Sequence, residues 1–113
     1  GGVAQGLGGA LMEELVYDAN GQLLTGSWMD YAMPRADDLP ALETAHLDHP
    51  SIINELGIKG VGESGAIAPG GVVANAVEDA LAEFGVTIRE LPVTAARIFE
   101  MLARARAKEE DMP

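Results

Sequence analysis

Apolar positions recur with helical spacing in three stretches of the 113-residue chain and alternate in shorter stretches between them. Val3, Leu7, Leu11 and Leu15 repeat every four residues, with Ala10 widening the stripe and Glu13 and Glu14 on the other side, which predicts a helix over residues 3–16. Val73, Ala76, Val77, Ala80, Leu81 and Phe84 make one continuous apolar face and predict a helix over 70–84. Pro69 suits its first helical position and Gly85 its left-handed stop. Ile98, Leu102 and Ala105 stripe a last helix that Thr94 can cap. Arg104, Arg106 and Lys108 lie toward its C-terminal end, where the helix dipole favours cations. The tail from Glu109 to Pro113 reads as frayed.

Strand patterns fill the gaps. Leu15-Val16-Tyr17 and Gln22–Thr25 flank Asp18-Ala19-Asn20-Gly21, and Asn-Gly is a strong hairpin signal, so residues 15–29 read as a hairpin. Prolines and acids then make 30–40 a long irregular connection, a kind of segment that is often functional. Residues 42–48 alternate moderately and end at Asp48-His49-Pro50, while Val86–Glu90 is β-rich with Val86 and Ile88 on one face. The order helix, hairpin, strand, loop, helix, strand, helix predicts an α+β fold. It is read as a single two-layer domain over 1–113, with helices on one face of a small mixed sheet.

Composition narrows the classes of function. A hydrophobic share of 48% with only 4% aromatic residues means that Ala, Val, Leu and Gly build the interior, which suits close backbone packing. With no cysteine the chain forms no disulfide and offers no thiolate to an iron–sulfur cluster. A net charge of −11 repels nucleic acid and anionic membranes, which are not expected as partners. No apolar run approaches the roughly 20 residues of a membrane span, and no signal-peptide pattern is visible. The chain opens Gly1-Gly2-Val3, without Met and within a helical pattern, as a piece of a longer protein would.

The stretch richest in candidate chemistry is Gly57–Gly71, where a Gly-rich loop carries one carboxylate, Glu63, into the 70–84 helix. Glycine lets a ligand or another backbone come close, and a helix start offers free N–H groups. The loop therefore reads as one that wraps something small and polar, or else as a tight connection with a solvated Glu. Gly2, Gly6, Gly8 and Gly9 are costly in a helix, at roughly 1 kcal/mol each, and point to close approach of some neighbour. Gln5 among them can donate and accept hydrogen bonds, although an exposed helical Gln is the plainer reading. His46 and His49 with Asp48 form the one conceivable metal set, against two surface histidines near a turn. Gly60-Val61-Gly62-Glu63-Ser64-Gly65 is also a literal G-x-G-x-x-G. A Rossmann-like dinucleotide site is disfavoured by the weak strand before it, by a carboxylate beside the pyrophosphate, and by too few βα units.

Six motifs in order carry a resemblance: Gly2–Gly8, Met12–Leu15, Asp30–Pro34, Lys59–Glu63, Ala74–Ala80 and Leu91–Thr94. Together they resemble the C-terminal end of the molybdenum-binding large subunit of the xanthine oxidase family, above all its aerobic carbon monoxide dehydrogenase branch. The resemblance covers residues 1 to about 104. It implies that Glu63 is the family's general base beside molybdenum. It likewise implies that Lys59, Gly60, Val61 and Gly62 lie against the molybdopterin cofactor, and that Gln5, followed by Gly6, contacts the pterin. The cofactor expected is molybdenum–molybdopterin in its cytosine dinucleotide form, with iron–sulfur clusters and FAD on other domains or subunits. The partners implied are the upstream part of the same large subunit, the iron–sulfur and flavin subunits and a small-molecule substrate, in a cytoplasmic enzyme. Alone, the chain is expected to be inactive, and its Gly/Ala-rich face could instead make it a non-catalytic, self-associating homo-oligomer.

Overall fold

The computed structural model describes residues 1–110. Four helices carry it: α1 (Gly2–Leu11), the single turn α2 (Ser64–Ile67), α3 (Pro69–Ala80) and α4 (Ala95–Glu110), with 3₁₀ turns at Ala36–Asp38 and Ala82–Phe84. The expected tail falls partly on α4, which runs to Glu110, and otherwise lies outside the described residues.

The two longer helices of the second half follow the sequence closely. Pro69 opens α3, and the Leu81 amide is shared between the Val77 and Glu78 carbonyls as the helix tightens into the 3₁₀ turn. Gly85 ends that turn in the left-handed region at φ 63°, where a side chain would be strained. Thr94 caps α4: its hydroxyl accepts from the Arg97 N–H at 3.3 Å and its carbonyl from Ile98 at 3.0 Å. By contrast, α1 stops at Leu11 rather than continuing to residue 16. The Met12 and Glu13 amides both close on the Gly8 carbonyl, and Val16 is already engaged with the returning chain through Thr25 and Leu24.

The expected α+β architecture is not what forms. Among the described residues there is no strand and no sheet, and the hairpin is reduced to one antiparallel bridge, Tyr17 to Leu23. Its turn is nonetheless the one the sequence encodes. Asp18 accepts the Asn20 and Gln22 amides on one carboxylate oxygen, both at 2.8 Å, and Gly21 takes φ 81°. Residues 42–48 and 86–90 stay irregular. A strand is held by a neighbour's backbone groups, and the described residues bring none alongside either segment.

Burial tells the same story. Among the described residues only Ala10, Val86 and Val93 form a buried apolar core. It sits where the end of α1 meets the start of α4: the Val93 amide donates to the Ala10 carbonyl at 2.6 Å, and Arg97 pairs with Glu14 and donates to the Pro92 carbonyl at 3.2 Å. Elsewhere large apolar side chains stand in the open, with Leu47, Ile52 and Ile53 at 97, 99 and 90% exposure. The radius of gyration is 18.8 Å, within an envelope of 69 × 37 × 27 Å. A compact chain of this length would have about 13 Å.

Candidate functional site

Two helices meet at glycines. α1 lies against α2 and the start of α3 so closely that a Cβ on Gly65 would stand 2.7 Å from the Val3 nitrogen. One on Gly6 would stand 2.5 Å from Pro69 Cγ and 3.1 Å from Ala66 Cα. Most of the costly glycines of α1 are therefore explained by the chain itself. Gly2 and Gly6 admit α2 and α3, Gly8 admits Pro34, and Gly9 alone of the cluster faces open space. This packing sets Gly6 beside the turn that follows Glu63. Gln5 is exposed.

The loop before α2 is pinned at both ends and free at its tip. Asn54 clamps Ile58, giving its side-chain N–H to the Ile58 carbonyl at 2.9 Å and accepting the Ile58 amide at 3.0 Å. Ser51 donates its amide to the Gly57 carbonyl at 2.9 Å. On the far side Ser64 closes on the Val61 carbonyl with its hydroxyl at 2.8 Å and its amide at 3.1 Å. Between these clamps, Lys59, Gly60, Val61, Gly62 and Glu63 are all exposed. Their five amide N–H groups find no acceptor among the described residues. Gly60 and Gly62 have no positive φ and no neighbour within 4 Å. Glu63 stands at the N-cap of α2 without capping it.

A run of free amides, one lysine and two positions without side chains is a donor set suited to a ligand rich in acceptors and negative charge. A molybdopterin, with its phosphate and its pterin heteroatoms, has that chemistry, so the residues present fit it.

The structure also joins groups that sequence reasoning left apart. The Tyr31 hydroxyl donates to the Glu13 carboxylate at 2.5 Å, which ties the Asp30–Pro34 stretch to the end of α1. That hydrogen bond, then desolvation and the carboxylate's charge, raises the phenol above its usual value. The contact is thus intact below the ordinary tyrosine range and is lost as pH rises through the raised value. Nothing in the spacing of Glu13 and Tyr31, or of Glu14 and Arg97, announces either pair. His46, Asp48 and His49 are exposed, and the described residues contain no group of three His, Cys, Asp or Glu side chains placed to hold a metal ion.

Comparison with known proteins points one way. The family model of a molybdopterin cofactor-binding domain matches residues 1–40. The nicotine 6-hydroxylase large subunit of Paenarthrobacter nicotinovorans is 46% identical over 98 residues, covering 87% of this chain and 12% of that one. The carbon monoxide dehydrogenase large chain of Hydrogenophaga pseudoflava is 37% identical over 102 residues, covering 90% and 13%. Among solved structures, quinoline 2-oxidoreductase from Pseudomonas putida 86 superposes with a TM-score of 0.83 at 44% identity, over 90% of this chain and 13% of that one. A Cu,Mo-CO dehydrogenase gives 0.83 at 31% identity, over 93% and 13%. The chain thus spans about an eighth of the relatives it matches, and its drawn-out path is shared with the two solved structures. The Gly60–Gly65 dinucleotide alternative is set aside, since no strand leads into its first glycine and the relatives are of another kind. The chain belongs to the molybdopterin-binding large subunits of the molybdenum hydroxylases, the xanthine dehydrogenase and carbon monoxide dehydrogenase family.

Proposed function

We propose that this chain supplies one wall of the molybdenum-cofactor site of a hydroxylating oxidoreductase, with Glu63 as its general base. The observation that carries the reading is the loop Lys59–Glu63: five unpaired amides and an unpartnered carboxylate, held between two clamps and open on one side. When bound, the cofactor supplies the redox centre at which a small organic or inorganic substrate is hydroxylated.

The residues divide the remaining work. The amides of Lys59, Gly60, Val61 and Gly62 donate to acceptor atoms of the cofactor, and the Lys59 ammonium offsets its negative charge. The missing side chains of Gly60 and Gly62 let the backbone come within van der Waals reach. Gln5 presents an amide that donates and accepts at once, on the helix packed beside the same turn. Glu63 accepts a proton on a carboxylate oxygen. No cation of the chain lies within salt-bridge distance of that carboxylate among the described residues.

The finer assignments belong to the same proposal: the cytosine dinucleotide form of the cofactor, iron–sulfur and flavin partners that carry electrons away, and a cytoplasmic setting. No described helix is long and apolar enough to cross a membrane. In the complete enzyme Glu63→Gln keeps the shape and removes the base. Turnover is expected to fall by roughly 10²–10⁴-fold with molybdenum content unchanged. A variant within threefold of the parent would remove Glu63 from the chemistry.

A further inference from the structure

Val86–Glu90 has the pattern of a strand and no strand beside it. Val86 is buried, Thr87 exposed, Ile88 half-buried and Arg89 exposed, the alternation of an extended segment that turns successive side chains to opposite faces. In such a segment successive N–H groups point to opposite edges. One edge is engaged, since the Ile88 amide donates to the Glu78 carboxylate of α3 at 2.7 Å. On the other edge the Thr87 and Arg89 amides have no acceptor among the described residues. A groove runs along the segment toward α4, lined among others by Thr87, Arg89, Glu90, Glu100, Met101 and Arg104. Arg89 has no carboxylate within salt-bridge distance among the described residues, although the chain carries a net charge of −11.

An edge of this kind, with its underside buried and its backbone groups free, is a template for another strand. We propose that Val86–Glu90 is an edge strand that accepts one strand from the remainder of the large subunit. The incoming strand gives carbonyls to the Thr87 and Arg89 amides and takes their own carbonyls in return, and it carries an acidic side chain to Arg89. The occupant is chosen on length: the matched stretch is 12–13% of the relatives, so most of such a subunit is available to supply the strand. The inference rests on reading the chain as part of a molybdenum-binding subunit.

Amide hydrogen exchange, read in the complete subunit and in the 113-residue chain, tests it. In the complete subunit the Thr87 and Arg89 amides are expected to be protected by roughly 100-fold or more, since ladder amides open only with their sheet. In the chain alone they exchange freely. Thr87→Pro deletes one donor of the free edge, so in the complete subunit it should expose the Arg89 amide and lower the unfolding temperature, while Thr87→Ala does neither. Free exchange at both positions in a subunit loaded with molybdenum would overturn the strand pairing and leave the cofactor reading standing. Protection that appears in the chain alone and grows with its concentration would assign the edge to a second copy and overturn the proposal. Molybdenum content measured on the same sample separates a failure of the cofactor reading from a failure of this one.

Discussion

Two sets of glycines do opposite things in this chain. Gly2, Gly6, Gly8 and Gly65 are small because something stands where their side chains would go: the backbone of a neighbouring helix, Pro69 or Pro34. Gly60 and Gly62 face nothing within 4 Å, and their φ values are ones that any residue adopts. The first set is used up in folding the chain onto itself. The second is left without an internal reason, and the exposed amides between Lys59 and Glu63 share that condition. The contrast separates a packed region, α1 on α2 and α3, from an open surface that no described residue covers.

Breaking the packed side should have the largest effect on stability. Gly6→Val forces a branched side chain into Pro69 and Ala66, and overpacking of this kind costs about 1–3 kcal/mol. Thermal or denaturant unfolding should show it with or without cofactor. A neutral Gly6→Val would mean that α1 and α2 sit farther apart than described. The exception within α1 sharpens the point in the other direction. Gly9 has open space around it, so Gly9→Ala should stabilise by about 0.5–1 kcal/mol through helix propensity alone. A destabilising Gly9→Ala, measured in the complete subunit, would show that the position is covered there.

How much of this was legible in the sequence follows from where each element finds its partners. An α-helix closes its hydrogen bonds within itself, so Pro69 and Thr94 mark the starts of α3 and α4 almost to the residue, whereas Gly85 ends the 3₁₀ turn beyond α3, which itself stops at Ala80 and not at residue 84. The Asp18–Gln22 turn is equally local, and its Asn-Gly signal was sound. A strand depends on distant backbone. The patterns at 42–48 and 86–90 predict strands, and neither meets a pairing neighbour among the described residues. The α1 stripe misled in a milder way. Leu15 keeps the four-residue spacing, but Val16 is claimed by Thr25 and Leu24, and Leu15 ends up 58% exposed. For the site, Gln5 and Glu63 stood out as residues. What brings α1 beside the turn after Glu63 is the Gly2–Gly65 and Gly6–Ala66 approach, which joins segments some sixty positions apart and leaves no trace in local spacing.

The central claim is that the open face of Lys59–Gly62 is shaped for the cofactor, and Gly62→Val in the complete subunit tests it most directly. Nothing among the described residues opposes a side chain at this position, either by crowding or by backbone angle. The account therefore predicts wild-type unfolding behaviour for the protein without cofactor, together with at least a tenfold loss of molybdenum and molybdopterin, equal to about 1.4 kcal/mol or more in binding. Molybdenum and molybdopterin content at the parent level in Gly62→Val would contradict it.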